Sequence, residues 1–509
     1  MAEKPPTRPT TDKDKLRRRE YMTLAGGAGM ALAVSGCLGD DDDDPADDAD
    51  DDDDDDGVDD GDDDDGVSDD WPEEYTMMSF FPGPDEPVDP EEDAPIANEE
   101  AYNWFATRFE EEHGIPFEHE SLPIDDWRTL QAQVFGGDEA PHFGPTLPGQ
   151  ENAPALSEGV LTEVSQLVDE EIIETRDMTG WQFGDGDIMN FGTGDDYYGF
   201  PDYLSGLPLW YHGPILEDAG WDLDDVARRD DIDLDEFHQL CRDIRDATGL
   251  DVLSLGNEIG AKIPYKFSAL WNKTFGFQGA LDLHNLETDL RLTDPEVVDM
   301  YEIIEEWWEE DFIVADTLAL SEGEADQIFF ANQAGIISSG FWVLFDYFGM
   351  GDEDELAGPG EEGGFDYSWW PDRPETDVDG TEELLGFPVG GWVVPEVVEN
   401  EGHEDFASTW LNEFFNDEEV LEVFGEHRGA ILADERQVGG WLPVFQDMAD
   451  DLAPERQAMR TDDTLVPEFG EALNSEGQRM FEGTASAADI LDDINDEWVD
   501  GMERRGASP

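Results

Sequence analysis

Few residues of this chain have the types and spacing needed for covalent or metal chemistry. The 509 residues include two cysteines and eight histidines, and no pair of them has the spacing of a zinc site. The motifs Gly-x-Ser-x-Gly and His-Glu-x-x-His and the phosphate-binding P-loop do not occur. Among 132 acidic residues, a carboxylate pair has no diagnostic value for acid–base catalysis. The sequence therefore predicts a protein that is not an enzyme and holds no cofactor or metal. A secreted glycoside hydrolase is the enzyme alternative.

Cys37 lies where an apolar run meets an acidic tract. Basic residues precede Met22–Gly36, a run of small and apolar residues without charge. The run is shorter than the roughly 20 residues that span a bilayer, and its order is that of an export signal. Arg18–Met22 resembles a twin-arginine signal, which exports folded proteins. Val34–Cys37 resembles a lipobox, whose cysteine is lipidated and becomes the first residue. A plain signal peptide with an incidental cysteine is the alternative.

The acidic tract that follows Cys37 is predicted to be a disordered stalk. Aspartate occupies 22 of the 31 residues from Asp40 to Asp70. Like charges repel and such a segment cannot form a core, so it should be extended. The sequence thus predicts a signal at 1–37, a stalk at 38–70 and a folded body tethered at the extracellular face of the membrane. A calcium-binding tract is the alternative for the stalk.

The charge of the whole chain indicates the medium in which it works. The formal net charge is −106, and the body stays strongly acidic without the stalk. Such an excess repels itself at low salt, and molar salt screens that repulsion. The composition predicts a halophilic, haloarchaeon-like source and makes nucleic acid a poor candidate as a partner.

Two further features of the body have both a structural and a functional interpretation. Its only lysines, Lys262, Lys266 and Lys273, lie within twelve residues. They are either a chance grouping or a positive element near a ligand site or docking surface. Cys241 has helical spacing with apolar neighbours and is predicted to be a buried small residue, so the mature chain has no partner for an intrachain disulfide.

The body has the size and pattern of two α/β lobes. Roughly 440 residues are too many for one core. Strand and helix patterns alternate as far as Val168, which favours a largely parallel sheet. The predicted strands are 74–81, 115–122 and 253–256, and 336–342 is predicted to be a strand and turn. The predicted helices are 98–113, 126–135, 214–220, 233–244, 295–310, 327–335, 407–415, 418–424 and 487–498.

Several segments, in this order, resemble the extracellular solute-binding proteins of ABC importers, the family that includes maltose-binding proteins. The similar segments are Tyr198–Pro201 with Leu209–His212, Leu234–Phe237, Ala331–Trp342, Phe387–Val394, Phe406–Phe415 and Phe481–Ile494. Together they span about 71–499. The long loops near 351–362 and 371–383 and the extreme acidity depart from the family pattern.

The resemblance implies a two-lobed α/β periplasmic-binding-protein (type II) fold that closes on its ligand and is then recognised by a membrane permease. It implies crossovers near Phe200–Leu204, Gly386–Val393 and His427–Leu432. Lobe I would comprise 71–200 and 386–430, and lobe II 201–385 and 431–509.

A sugar is the ligand class that the resemblance implies. A sugar site uses aromatic rings for stacking and short polar groups for hydrogen bonds. The residues expected to face the cleft are Phe81, Gln150, Glu151, Tyr203, Ser205, Tyr265, Trp271, Trp342 and Trp392. Trp307 and Trp308 are predicted to be core residues, and Trp369–Trp370 either a lid or packing.

Other ligands are compatible with the same fold. Aromatic rings with carboxylates would suit a polyamine, and the three lysines would suit an anion such as glycerol phosphate. Asp377–Glu383 is rich in carboxylates but lacks the full calcium-loop pattern.

Overall fold

The computed structural model describes most of the chain after residue 70. The described residues are 71–79, 98–122, 124–137, 140–145, 155, 158–169, 172, 198–200, 202–229, 232–258, 268–284, 290–344, 347, 356–361, 363–368, 370–371, 387–389, 391–427, 431–432 and 467–504. They all belong to one compact unit, Gly66–Pro509. The predicted signal, Cys37 and the stalk lie outside the described residues. Among the helices that are described, none combines the length and the apolar character needed to cross a bilayer.

The elements alternate between strands and helices, as the sequence predicts. In chain order they are β1 (Tyr75–Ser79), α1 (Asn98–His113), β2 (Phe117–Ser121), α2 (Ile124–Phe135), β3 (Gly144–Pro145), β4 (Tyr203–Ser205), β5 (Leu209–His212), α3 (Gly213–Ala219), α4 (Leu223–Val226), α5 (Leu234–Thr248), β6 (Asp251–Ser254), α6 (Ser268–His284), α7 (Pro295–Glu309), α8 (Glu322–Phe330), β7 (Ala334–Ser338), β8 (Phe365–Ser368), β9 (Phe387–Val389), β10 (Trp392–Val393), α9 (Val397–Glu401), α10 (Glu404–Asn416), α11 (Glu418–Glu422), β11 (Ile431–Leu432), α12 (Pro467–Phe481) and α13 (Ala487–Arg504).

The first group of strands brings together two parts of the chain that are far apart in the sequence. β1 pairs in parallel with β2, and β3 pairs antiparallel with β10, Gly144 lying opposite Val393. The Met78 amide donates to the Phe143 carbonyl at 2.9 Å, which connects the two pairs. Residues near 144 and 393 therefore build one structure, although about half the chain separates them.

Aromatic rings fill the space between these strands and helices α1 and α10. Phe143 stacks on Trp410 of α10 with ring centroids 4.0 Å apart. Phe105 of α1 meets the same indole edge-on at 5.1 Å. Trp410 is fully buried, so its large apolar area contributes strongly to this core.

The second sheet has the strand order β6-β7-β5-β8. β6 and β7 are parallel, whereas β5 is antiparallel to both β7 and β8. The largely parallel sheet predicted from the pattern before Val168 therefore does not describe this second sheet, in which β5 is antiparallel to its neighbours. Alternating strands and helices predict parallel neighbours only where a helix connects two consecutive strands. β5 follows a crossover instead, so the alternation does not determine the direction of β5 in the sheet.

A small third sheet combines strands from three distant parts of the sequence. β4 is central and pairs antiparallel with β9 on one side and β11 on the other. The three segments predicted as crossovers thus hydrogen-bond to one another.

Helix ends follow local sequence signals. The Asp233 carboxylate accepts from the Glu236 amide at the start of α5, and Gly249, with φ of 67°, ends that helix. Ser321 and Glu324 form a capping box at the start of α8.

One predicted helix is misplaced. The pattern predicted a helix at 327–335, but α8 starts at Glu322 and ends at Phe330. Asn332 has a left-handed φ of 58°, and β7 begins at Ala334. The apolar residues after 333 belong to a fully buried strand, whose pattern resembles that of a buried helix.

Candidate ligand-binding site

The strongest candidate site is the carboxyl edge of the β6-β7-β5-β8 sheet. Because β6 and β7 are parallel, their carboxyl ends meet at the same edge, where ligands of open α/β sheets bind. β5 begins there, with Leu209 opposite Ser338 of β7 and Ser368 of β8. Ser205, at the end of β4, lies four residues before Leu209. The edge therefore adjoins the three-stranded sheet.

Short neutral polar side chains collect at this edge. Ser205, Ser254, Asn257, Ser338, Ser339 and Ser368 are all almost fully buried. The Ser254 hydroxyl donates to the Ala325 carbonyl at 2.7 Å. Within the described part of the chain, the hydroxyls of Ser338 and Ser339 have no hydrogen-bond partner. Buried hydroxyls of this kind are normally satisfied, so they are suitable donors and acceptors for a bound polar molecule.

Ser205 and Trp342 are the two predicted site residues that this structure brings together. The Phe341 amide donates to the Ser205 hydroxyl at 2.9 Å, which places Trp342 one residue away from that contact. Trp342 is half-buried, and its ring lies directly over Gly340, where a Cβ atom would collide with it. Because Gly340 has no side chain, the Trp342 indole can lie over it.

The two other predicted tryptophans, Trp392 and Trp271, are buried. Trp392 is 2% exposed and packs edge-on against Trp410 of the first core. Trp271 is buried on α6, with its ring 5.0 Å from that of Phe275. Neither ring offers a free face for stacking in this structure, and their role as ligand contacts stays a prediction.

The remaining predicted site residues are only partly placed. The backbone of Tyr203 pairs with Val389 and Leu432 in the three-stranded sheet. Outside the described residues lie Phe81, Gln150, Glu151 and Tyr265, together with Lys262, Lys266, Trp369 and Asp377–Glu383.

Several structural interpretations are confirmed. Cys241 is fully buried, and Trp307 is a core residue that stacks on Trp370 at 5.7 Å. Trp308 packs partly buried against Phe481. Lys273 is only 3% exposed, so it does not belong to a docking surface in this structure.

Sequence reasoning missed Asn257, Ser338 and Ser339. Each follows or ends a strand, and that position was the available signal. The segment 336–342 was predicted as a strand and turn without a boundary between the two, so the sequence did not place either serine at the end of the strand.

Among the residues that the structure describes, two groups of side chains have the donor atoms of a metal site. The first is His142, Glu401 and His403. The Thr76 amide donates to His142 Nδ1 at 3.1 Å, so the neutral ring carries its proton on Nε2. A metal-bound imidazole instead donates from its second nitrogen, so His142 does not fit a metal ligand.

The second group is Glu112, His113 and Glu413. His113 Nε2 and the Glu413 carboxylate are 2.7 Å apart. The pair already forms a hydrogen-bonded contact on the outer face of α10, and we assign no metal to it.

The buried His142 makes stability depend on pH. Burial, with a contribution from His403, lowers the pKa of His142 to about 4. The unfolded ring titrates near 6.5, so the unfolded chain takes up the proton first as pH falls. Stability should therefore be full above about pH 6.5 and fall by roughly 3 kcal/mol towards pH 4 from this group alone.

The His142→Gln variant tests this pH dependence, because glutamine retains an acceptor for the Thr76 amide but does not titrate. We expect its melting temperature to fall less steeply than that of the parent between pH 6.5 and 4.5 in molar salt. Equal slopes in the two proteins would contradict the assignment. The melting temperatures of the two proteins at pH 8 provide the reference for any general loss of packing in the variant.

The comparisons with solved structures give the class of fold. A chitin oligosaccharide binding protein aligns with a TM-score of 0.64 and 14% identity, over 84% of this chain and 99% of that one. An ABC transporter solute-binding protein from Thermotoga lettingae, bound with α-D-tagatose, gives 0.60 and 13%, over 84% and 99%. The maltose/maltodextrin-binding domain from Bdellovibrio bacteriovorus, bound to maltotriose, gives 0.58 and 14%, over 86% and 100%. No protein-family model and no curated protein matches the chain.

These alignments show that the chain has the two-lobed α/β (type II) fold of periplasmic solute-binding proteins. The neighbours are sugar-binding solute receptors rather than enzymes. At 13–14% identity, the likeness concerns the fold.

Proposed function

We propose that this protein is the substrate-binding subunit of an ABC importer and that it captures an uncharged sugar or polyol between its lobes. The observation that carries the proposal is the carboxyl edge beside the three-stranded sheet, where buried serine and asparagine side chains meet the half-buried Trp342. Hydroxyl and amide groups match the edges of a sugar, and an indole matches its apolar C–H face.

Among the described residues, the side chains that end the strands at this edge favour a neutral ligand over a charged one. Asp366 is paired with the Arg228 guanidinium at 3.1 Å. Asp202 accepts a hydrogen bond from the Tyr102 hydroxyl at 2.5 Å. These carboxylates are engaged by the protein, while the groups that end β6 and β7 are neutral. A polyamine or a phosphate ester would require a compensating charge at the edge.

The proposed division into lobes follows the contacts of the chain. Lobe I comprises 71–200 and 386–430, around the β1 and β10 strands. Lobe II comprises 201–385 and 431–509. The C-terminal helices support the second assignment, because the Ala487 amide donates to Glu305 of α7 at 3.0 Å. A ligand that contacts both lobes only when they meet would favour the closed form, which the permease recognises.

The proposal includes a membrane tether. Twin-arginine export followed by lipidation of Cys37 would leave the body on an acidic stalk at the extracellular face of the membrane. The tether would keep the receptor near its permease in a cell that has no enclosed periplasm.

Thermal melting tests the binding function. The full chain in 2–3 M KCl, roughly the salt that screens its charge, would be melted with maltotriose, chitin and xylan oligosaccharides, galactose, glycerol phosphate and spermidine. A ligand that binds only the folded state raises the melting temperature by mass action. We expect a shift with one sugar class and no product in the same sample.

Two other outcomes of the melting experiment would contradict part or all of the proposal. A shift with spermidine or glycerol phosphate alone would retain a solute receptor and overturn the neutral ligand. Hydrolysis of an oligosaccharide would overturn the binding function itself.

A further inference from the structure

One tyrosine contacts residues in or near the three segments that connect the strand groups. Tyr102 lies on α1, which packs with the first group, and its side chain is 7% exposed. Its hydroxyl donates to Asp202, the residue immediately before β4, at 2.5 Å. Its ring meets Trp392, three residues after β9, edge-on at 5.3 Å. It also contacts Phe424 at 5.2 Å.

Phe424 belongs to an irregular segment before the third connection. Residues Val423–His427 form a π-helical turn, and β11 follows at Ile431. Single π turns are strained and occur often at functional sites. Tyr102 therefore contacts Asp202 before β4 through its hydroxyl, and Trp392 after β9 and Phe424 before β11 through its ring.

β4 makes a second hydrogen-bonded contact, at its C-terminal end. The Ser205 hydroxyl accepts from the Phe341 amide, which follows β7 of the second sheet, and donates to the Gly206 carbonyl. Only Tyr203 and Leu204 lie between the Asp202 contact with α1 and this contact of Ser205 with the second sheet. A three-residue strand held at both ends must absorb any change of angle between the two groups.

We propose that Tyr102 is a positioning residue for lobe closure, because it fixes the three connecting segments to α1 and confines bending to β4, β9 and β11. The inference rests on the proposed function, since closure matters only in a receptor of this kind. The hydrogen bond between the Tyr102 hydroxyl and the Asp202 carboxylate is the part of the contact that requires a tyrosine. It is buried and joins α1 to a charged group. The ring supplies the rest of the contact with Trp392 and Phe424.

Tyr102→Phe tests this role, because it removes the hydroxyl and retains the ring. Hydrogen–deuterium exchange of the full chain in molar KCl, without any sugar, would compare the variant with the parent. We expect the amides of β4, β9 and β11 to exchange about tenfold faster or more, as loss of a hydrogen bond to a charged group implies. Amides of β6 and β7 should be unchanged.

Tyr301→Phe is the matched control. Tyr301 is a buried tyrosine on α7, 4% exposed and remote from the connections in sequence. Its variant should leave the exchange of β4 unchanged. If both variants accelerate exchange evenly through the chain, Tyr102 is a packing residue only and the proposal is overturned.

Asp202→Asn provides a second measurement should Tyr102→Phe fold poorly. The amide keeps an acceptor for the Tyr102 hydroxyl but removes the charge, so exchange of β4 should rise by less than in Tyr102→Phe. Unchanged exchange of the connecting strands in both variants would refute the role. Because the experiment contains no ligand, its failure is separate from failure of the sugar-binding proposal.

Discussion

Replacing Trp342 with alanine is expected to weaken binding of the sugar that stabilises the parent by about 30-fold or more, the effect of losing a central aromatic contact. The indole is half-buried at the carboxyl edge, beside the Ser205 contact. Titration calorimetry in molar KCl would measure the affinity, and melting without ligand would report the stability.

The Gly340→Ala variant gives this prediction its sharpest control. A Cβ at residue 340 collides with the Trp342 ring, so this small change should displace the indole and weaken binding without removing it. Trp308→Ala is the matched tryptophan variant away from the edge, because Trp308 packs against Phe481. It should destabilise the fold and leave affinity unchanged. Equal loss of affinity in Trp308→Ala and Trp342→Ala would show that the effect is general unfolding.

Dilution from molar to about 0.1 M salt is expected to remove much of the folded-state stability. The screening length rises from about 3 Å to about 10 Å over that range, so exposed carboxylates begin to repel one another. With a net charge of −106, the accumulated repulsion should be comparable to an ordinary free energy of unfolding of roughly 5–15 kcal/mol. Melting temperature against KCl concentration would measure the loss.

The charge pattern of α13 offers a local test of this explanation. Asp492, Asp496 and Asp500 are exposed and spaced four residues apart on the helix, where like charges repel. Asp496→Lys should raise the melting temperature at low salt and have little effect at molar salt. A gain of equal size at both salt concentrations would point to helix propensity rather than to charge.

The sequence was sufficient for the position of most elements. α1 was predicted with its observed bounds, because Tyr102, Phe105 and Phe109 repeat at helical spacing and Gly114 ends the helix with φ of 71°. The direction of β5 was not predictable, since it depends on which neighbours the strand meets after the crossover. The direction of β5 therefore depends on residues that are far from it in the sequence.

The candidate site was predicted less well for a related reason. Trp342 was predicted as a ligand contact because Gly340 lies two residues before it at a strand end. Trp392 has the same local signal and yet lies in a core, because Tyr102, Trp410 and Phe414 from two helices close over it. A glycine-rich strand end indicates that a ring can approach the backbone, and the tertiary neighbours determine whether a ligand or the protein faces that ring.

The pairing of β3 with β10 constrains how this protein can be made. Phe143 leaves the ribosome long before Trp410, the ring on which it stacks. A nascent chain therefore carries β3 unpaired and this aromatic surface uncovered until nearly residue 420 has been synthesised. This part of the fold can form only late in synthesis, and the half of the chain that separates β3 from β10 sets the interval during which its apolar surface is exposed.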